Sequence, residues 1–583
     1  MPQAHKIPRS LPIFIFLLNL AFTPSHAQTA AQTALVKYDT SYDIVSPVRA
    51  RHGMVATEQA LASQVGLDIL KRGGNAVDAS VAVGFALAVV LPNAGNIGGG
   101  GFMLIHDAKS GKDVALDFRE MAPSSASRDM YLDANGKVIP GQSIFTHLAV
   151  GVPGTIAGLT QALNKYGSMK LKEVITPAIK LAEQGFEVSP HLAEMLDASR
   201  DHLGKWPASR AIFFKGARPL QAGEKLVQKD LANSLRLIAA QGPSAFYQGA
   251  IAKKIVAEMQ AHQGLMTLTD LQNYKAIERE PIKGNYRGYQ VMAMPPPSSG
   301  GVHIIQMLNM LEAYPLKQQG VNSAQNLHLM TEIMKLAYAD RSEYLGDPDF
   351  TKVPVAGLTS RDYANELRKK INLEYATPSA QIKAGQPQPY ESDQTTHYSV
   401  ADQQGNVVAT TYTLNLLFGS GIVASGTGIT LNNEMDDFSV KAGVPNVFGL
   451  IGGDANAIAA NKRPLSSMSP TIILKDGRPF LATGSPGGSR IITTTLQIIL
   501  NVIDHDMNVA EATLTPRIHH QWEPDQLRIE KGISLDTQAL LRQKGQHITV
   551  VKPMGRTQTI QIKPDGFEGC SDPRNPDGKT LGY

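Results

Sequence analysis

Between residues 150 and 350 apolar positions recur with a spacing near 3.6, the period of a helix that buries one face. The pattern predicts helices over 171–184, 229–240, 250–262 and 324–344. Nearer the start, 57–72 has the same period and closes on Gly73-Gly74. Asn75 is then a plausible N-cap, with Asp78 at the third helical position, for a helix ending near Pro92. Residues 81–91 form an apolar run short enough to suit a buried helix better than a membrane span. The run leads into Asn96-Ile97 and four glycines, Gly98 to Gly101, before the strand-like Phe102-Met103-Leu104. Pro295 to Gly301 reads as a rigid turn followed by a flexible one. Residues 377–394 are polar and proline-rich and read as an exposed linker. Beyond Thr395 the texture changes. Residues 397–400, 407–414 and 471–474 are enriched in Thr, Val, Tyr and Ile and read as strands.

The amino end reads as an export signal, residues 1–27. His5, Lys6 and Arg9 make a basic start, Leu11 to Phe22 is apolar apart from Pro12 and Asn19, and Ser25-His26-Ala27 offers small residues for cleavage. An uncleaved anchor is the alternative. The expectation is a soluble mature protein in a bacterial periplasm or outside the cell, with no membrane association.

Composition narrows the classes. The chain has 583 residues, 43% hydrophobic and 18% charged, which excludes a mainly disordered protein. Its formal net charge is +4, too small to call for a nucleic acid or an anionic surface. Its one cysteine, Cys570, excludes an intrachain disulfide, a Cys-rich zinc site and an iron–sulfur cluster. Several motif matches fail. Gly578-Lys579-Thr580 lacks the first glycine of a phosphate loop, which would fall on Pro573. The glycines at 98–101 precede a strand, not the helix a dinucleotide needs. Gly484-Ser485-Pro486-Gly487 has Thr483 where a serine nucleophile elbow needs glycine. His519-His520 has no partner at zinc-ligand spacing and reads as packed or capping histidines.

The junction at Gln394-Thr395 carries a chemical possibility. If the chain opened there, Thr395 would hold a hydroxyl and a free α-amine. An amine with an ordinary pKa of about 7.7–8.0 can take the hydroxyl proton and make a nucleophile. The plainer reading is that Thr395 starts a strand. His397 would share its face of that strand and is a second candidate base.

The residues around this junction decide between the readings by their resemblance. Asn93–Met103, Asp117-Phe118-Arg119-Glu120, Pro295–His303, Gln394–Val400, Asn432–Asp437, Val444–Ala457, Arg463–Pro470, Gly484–Ile491 and His519-His520-Gln521-Trp522 resemble the gamma-glutamyltransferases, exported N-terminal-nucleophile hydrolases. The resemblance implies a four-layer αββα sandwich built from a large segment (28–394) and a small one (395–583). It implies that Thr395 is the nucleophile and new amino terminus, with Thr413 orienting it. Gly487 and Gly488 would form the oxyanion hole, where two backbone N–H groups approach without Cβ clashes. Arg119, with Ser466 and Ser467, would hold the α-carboxylate of a γ-glutamyl group. Asn415, Glu434 and Asp437 would hold its α-ammonium. The implied substrates are glutathione and other γ-glutamyl compounds, with water, amino acids or dipeptides as acceptors. No metal or organic cofactor is required.

Two positions depart from the family pattern. Residues 440–450 match a lid that often has a central tyrosine; here it is Phe448, so a hydroxyl bond to Asn415 is lost and a looser gate is expected. Glu434 stands where several bacterial members carry glutamine. Two rival readings remain. One is an acylase acting on glutaryl-type side chains. The other is an uncleaved binding protein.

Overall fold

The computed structural model describes residues 45–387 and 397–583. Two seven-stranded antiparallel sheets form its centre. The first runs Val48–Ala50, Gly566–Ser571, Gln558–Lys563, Arg478–Thr483, Thr471–Lys475, Tyr289–Ala293, Ile282–Tyr286. The second runs Lys579–Gly582, Gly53–Thr57, Tyr398–Asp402, Val407–Thr413, Gly100–Asp107, Lys112–Phe118, Ile277–Arg279. Met54, Phe102, Ala409, Met292, Ile472 and Ile560 pack the sheets face to face. On its outer face the second sheet carries the helices Ala60–Lys71 and Ala76–Val90, with Val400, Val408 and Tyr412 in their core. The first sheet is covered by Ser299–Leu311 and Val509–Leu514, in a core with Val291, Ile473 and Leu481. The order of layers is helix, sheet, sheet, helix, as the resemblance implied. Among the described residues no helix is long and apolar enough to cross a membrane.

Local chemistry sets several elements. Asn75 accepts from Val77 N and Asp78 N, and Asp78 accepts from Asn75 N at 2.8 Å, so both cap the helix Ala76–Val90. All fifteen residues of that helix are buried, which explains its apolar run. The first predicted helix starts later than the periodicity suggested, at Ala60. Thr57 is instead the last residue of a strand and pairs with Lys579.

Two expectations need correction. Gly300 and Gly301 are not a flexible turn: they open the helix Ser299–Leu311, capped by Ser298. A Cβ on Gly300 would lie 2.1 Å from Ser469 Oγ, and one on Gly301 would lie 2.3 Å from Met294 O, so these glycines permit close packing. The described part of the predicted linker, 377–387, is only half exposed. Ser379, Ile382 and Gly385 are buried, and Trp522 Nε1 donates to Ser379 O at 3.0 Å while Gly385 N donates to Asp340 at 2.7 Å. Polar composition hid these anchors because backbone groups make them. Gln394 and Thr395 lie outside the described residues, as does the 1–27 segment.

Candidate active site

The strand Val407–Thr413 sends alternate side chains to opposite faces. Val408 and Tyr412 join the outer helices, whereas Val407, Ala409, Thr411 and Thr413 face the other sheet. The glycine run lets the neighbouring strand come close at this point. A Cβ on Gly99 would stand 1.9 Å from Thr413 O, and Asn96 Nδ2 donates to that oxygen at 2.8 Å. Thr413 Oγ1 accepts from Asn415 N at 2.7 Å, which helps hold Asn415 at φ +74°. Asn415 Nδ2 then donates to Asn433 O at 2.9 Å.

Gly487 and Gly488 sit directly before the fourteen-residue helix Arg490–Ile503, whose N-terminal dipole favours negative charge there. Their φ values are +135° and +58°, a region that favours glycine. A Cβ on Gly488 would come 2.6 Å from Phe448 Cδ1, so the Phe448 ring packs directly on Gly488. Gln521 Nε2 donates to Gly449 O at 3.1 Å and ties that segment down. Thr413, Asn415, Phe448, Gly487 and Gly488 line one cavity of about 660 Å³, together with Arg490, Lys552, Arg556 and Arg574.

Arg119, Glu434, Asp437, Ser466 and Ser467 do not line that cavity. Arg119, Glu434 and Asp437 form a buried cluster joined to it through Asn433, and Leu465, whose carbonyl accepts from Arg119, leads into buried Ser466 and Ser467. Arg119 is fully buried; its Nη1 donates to Glu434 and its Nη2 to Asp437 at 2.6 Å, with Glu120 3.5 Å away. Nε donates to Pro464 O at 3.3 Å. Ser466 Oγ, Glu434 Oε2 and Asp437 Oδ1 are buried without a hydrogen-bond partner. Arg119 thus faces three carboxyls, and the charge of buried Arg341 also acts on Asp437. Burial raises the Glu434 carboxyl far above its ordinary range; Arg119 opposes this, and Glu120 and Asp437 add to it. Asp437 is raised for the same first reason. Burial pulls the Arg119 guanidinium down, but Glu434, Glu120 and Asp437 outweigh it.

His397 packs on Gly484, whose Cβ would lie 2.5 Å from its Nδ1. Its two ring nitrogens meet Thr411 Oγ1 at 3.1 Å and Ser399 Oγ at 2.8 Å. Burial drives its pKa down to about 3, so it is neutral and a poor proton acceptor. The rejected motifs stay structural. Ser485 Oγ donates to Pro486 O and accepts from Arg556 N. His519 is buried between Thr493 and Gln521, and His520 meets Asp525.

A family model described as Gamma-glutamyltranspeptidase matches residues 62–582. The chain belongs to the gamma-glutamyltranspeptidase family. It is an enzyme of that family. A relative from Escherichia coli (strain K12), a glutathione hydrolase proenzyme, is 57% identical over 577 residues, 99% of each chain. The solved cephalosporin acylase from Bacillus halodurans matches with a TM-score of 0.83 and 32% identity, over 94% of this chain and 99% of its own. The gamma-glutamyltranspeptidase from Helicobacter pylori matches with a TM-score of 0.56 and 47% identity, over 59% of this chain and 97% of its own. The αββα layers are the N-terminal-nucleophile hydrolase fold.

In this gamma-glutamyltranspeptidase family member, sequence reasoning missed Glu120 as part of the charge cluster and Asn433 as the joint between cluster and cavity. Arg490 could have been found, since it follows the glycine pair. Lys552, Arg556 and Arg574 carry no local signal.

The charge cluster makes a pH prediction. A carboxyl raised in the fold binds its proton more tightly there than in the unfolded chain. Its contribution to stability is therefore complete below its ordinary value of 4.5 and is lost as pH rises toward the folded value. Glu434→Gln has no such proton to lose. Its unfolding free energy from urea titration should match the parent's near pH 4 and exceed it by about 1–2 kcal/mol near pH 8. Parallel pH profiles would count against an excess of buried negative charge.

Proposed function

We propose that the chain is a self-cleaving γ-glutamyl-transferring enzyme of the glutathione hydrolase type. Thr395 Oγ attacks the Gln394 carbonyl, the peptide nitrogen leaves as the Thr395 α-amine, and water opens the resulting ester. This yields a large segment (28–394) and a small segment (395–583). The freed amine takes the hydroxyl proton when Thr395 attacks a γ-glutamyl carbonyl and returns it to the leaving amine. The α-amine is favoured over His397 as base, because burial lowers the proton affinity of that imidazole and both its ring nitrogens already have partners. Gly487 and Gly488 hold the oxyanion, and Thr413 orients the nucleophile. Water, an amino acid or a dipeptide then takes the γ-glutamyl group.

The observation that carries this reading is the buried cluster. An α-amino acid end is a zwitterion, and each half of the internal ion pair matches one of its charges. The α-carboxylate would take the Arg119 fork and the Ser466 hydroxyl, with Ser467 beside it. The α-ammonium would take Glu434, Asp437 and Asn415. The partnerless atoms of Ser466, Glu434 and Asp437 would each gain a partner, removing costs of about 1–3 kcal/mol apiece. A glutaryl donor, as the acylase reading requires, has no ammonium to offer two carboxyls. The apolar run at 11–22 supports export through a cleavable signal.

Sequencing the chain starts of purified active protein tests processing: starts at Gln28 and Thr395 are expected, and an active preparation of intact chain alone refutes it. Comparing γ-glutamyl and glutaryl anilides tests the donor, and equal kcat/KM for the two would favour the acylase. Phe448→Tyr should restore a hydroxyl toward Asn415 and lower the ratio of hydrolysis to transfer. An unchanged ratio would show that the ring alone sets the gate.

A further inference from the structure

Outside the cavity, His147 meets Glu258 and His262, which stand together at the end of one helix. His147 opens the short 3-10 turn His147–Ala149. Glu258 lies in the helix Ala250–Ala261, and His262 caps its C-terminus, so the two stand one turn apart. His147 Nε2 lies 3.2 Å from Glu258 Oε1, and His262 Nε2 lies 3.6 Å from the same oxygen. One ligand atom from each side chain fits within 4.8 Å of the others. Ligands bonded to one ion at about 2.0–2.2 Å stand about 3.0–3.5 Å apart, which the His147–Glu258 distance meets; the His262 ring, stacked on His147 at 4.5 Å and half exposed, would turn to bring its nitrogen to the ion.

The surroundings hold the three side chains in place. Glu258 Oε2 accepts from Ser425 N at 3.2 Å and Ser425 Oγ at 2.8 Å, leaving Oε1 for the imidazoles. Trp206 packs edge-on against both rings, at 4.8 Å from His147 and 5.3 Å from His262. The His147 and Glu258 side chains are 2% and 9% exposed, and His262 is 45% exposed. A bound ion would keep one side open to water.

We propose that His147, Glu258 and His262 bind a divalent transition-metal ion of the zinc class, with water completing its shell. Two imidazole nitrogens select such an ion over magnesium or calcium, which prefer oxygen alone. None of the three residues lines the cavity, so the role of the ion is structural. The turn at His147 packs on the turn Glu434–Asp437, and Ser425 follows the strand Val423–Ala424. An ion here would staple a helix, a loop and the support of the charge cluster.

The test uses protein purified without a polyhistidine tag and stripped with a chelator. Calorimetric titration with Zn²⁺ should show one saturable equivalent. Co²⁺ should give the visible bands of an ion held by nitrogen and oxygen. His262→Ala, at an exposed position, should weaken Zn²⁺ binding by at least about 100-fold with donor turnover unchanged. Ser425→Ala should weaken it by about tenfold, since it removes only the hydroxyl that orients Glu258. Absence of a saturable equivalent, or equal binding by the parent and His262→Ala, overturns the proposal.

Discussion

Thr395→Ala is expected to yield a single full-length chain after the signal segment, with kcat lowered by at least about 10⁴-fold. The substitution removes the one oxygen that the proposed scheme uses twice, first on the Gln394 carbonyl and then on the donor. Thr395→Ser keeps that oxygen, so it should still be cleaved and retain measurable turnover. This pair separates a chemical role from a strand-starting role. If Thr395 merely began a strand, alanine would be tolerated and both variants would behave alike. Mass spectrometry of the chains and a γ-glutamyl anilide assay read the result. A cleaved and active Thr395→Ala protein would sink the mechanism.

Arg119→Met should do the largest damage to the charge cluster. It leaves Glu120, Glu434 and Asp437 buried around an apolar side chain, and removing one member of a buried pair costs about 3–5 kcal/mol. The carboxyls would take up protons to limit the loss, so the defect should be milder at acid pH. Donor binding would be lost separately, because the substitution removes the fork proposed to hold the α-carboxylate. We expect kcat/KM for a γ-glutamyl donor to fall by at least about 10³-fold. The double variant Arg119→Met, Glu434→Gln distinguishes the two effects. It should regain part of the stability and none of the donor affinity. Full recovery of kcat/KM by the double variant would show that Arg119 acts only by keeping the fold intact.

Elements with strong local signals were legible in the sequence. The helices Leu171–Gln184 and Ala324–Tyr344 have the bounds their periodicity predicts. Asn75 and Asp78 form the cap their spacing suggests. Where the reading erred, distant partners had decided the outcome. Thr57 was claimed by a strand partner at Lys579, and Gly300 by Ser469. The site shows the same limit more sharply. Arg119 beside Glu120 looks like a surface pair, yet its main partners Glu434 and Asp437 lie more than 300 positions away and all four are buried. Only resemblance to a family joined them before the fold was known. Thr411 and Thr413 are indistinguishable by spacing. Thr411 is taken by His397, whereas Thr413 steadies Asn415 at the cavity.

The strand order bears on what the proposed opening of the Gln394–Thr395 bond would do. Tyr398–Asp402 and Val407–Thr413 lie wedged between Gly53–Thr57 and Gly100–Asp107, and the other sheet mixes early and late strands in the same way. Neither fragment owns a complete sheet. Scission there would create a new chain end without creating a separable body, and the halves would stay joined like two hands with laced fingers.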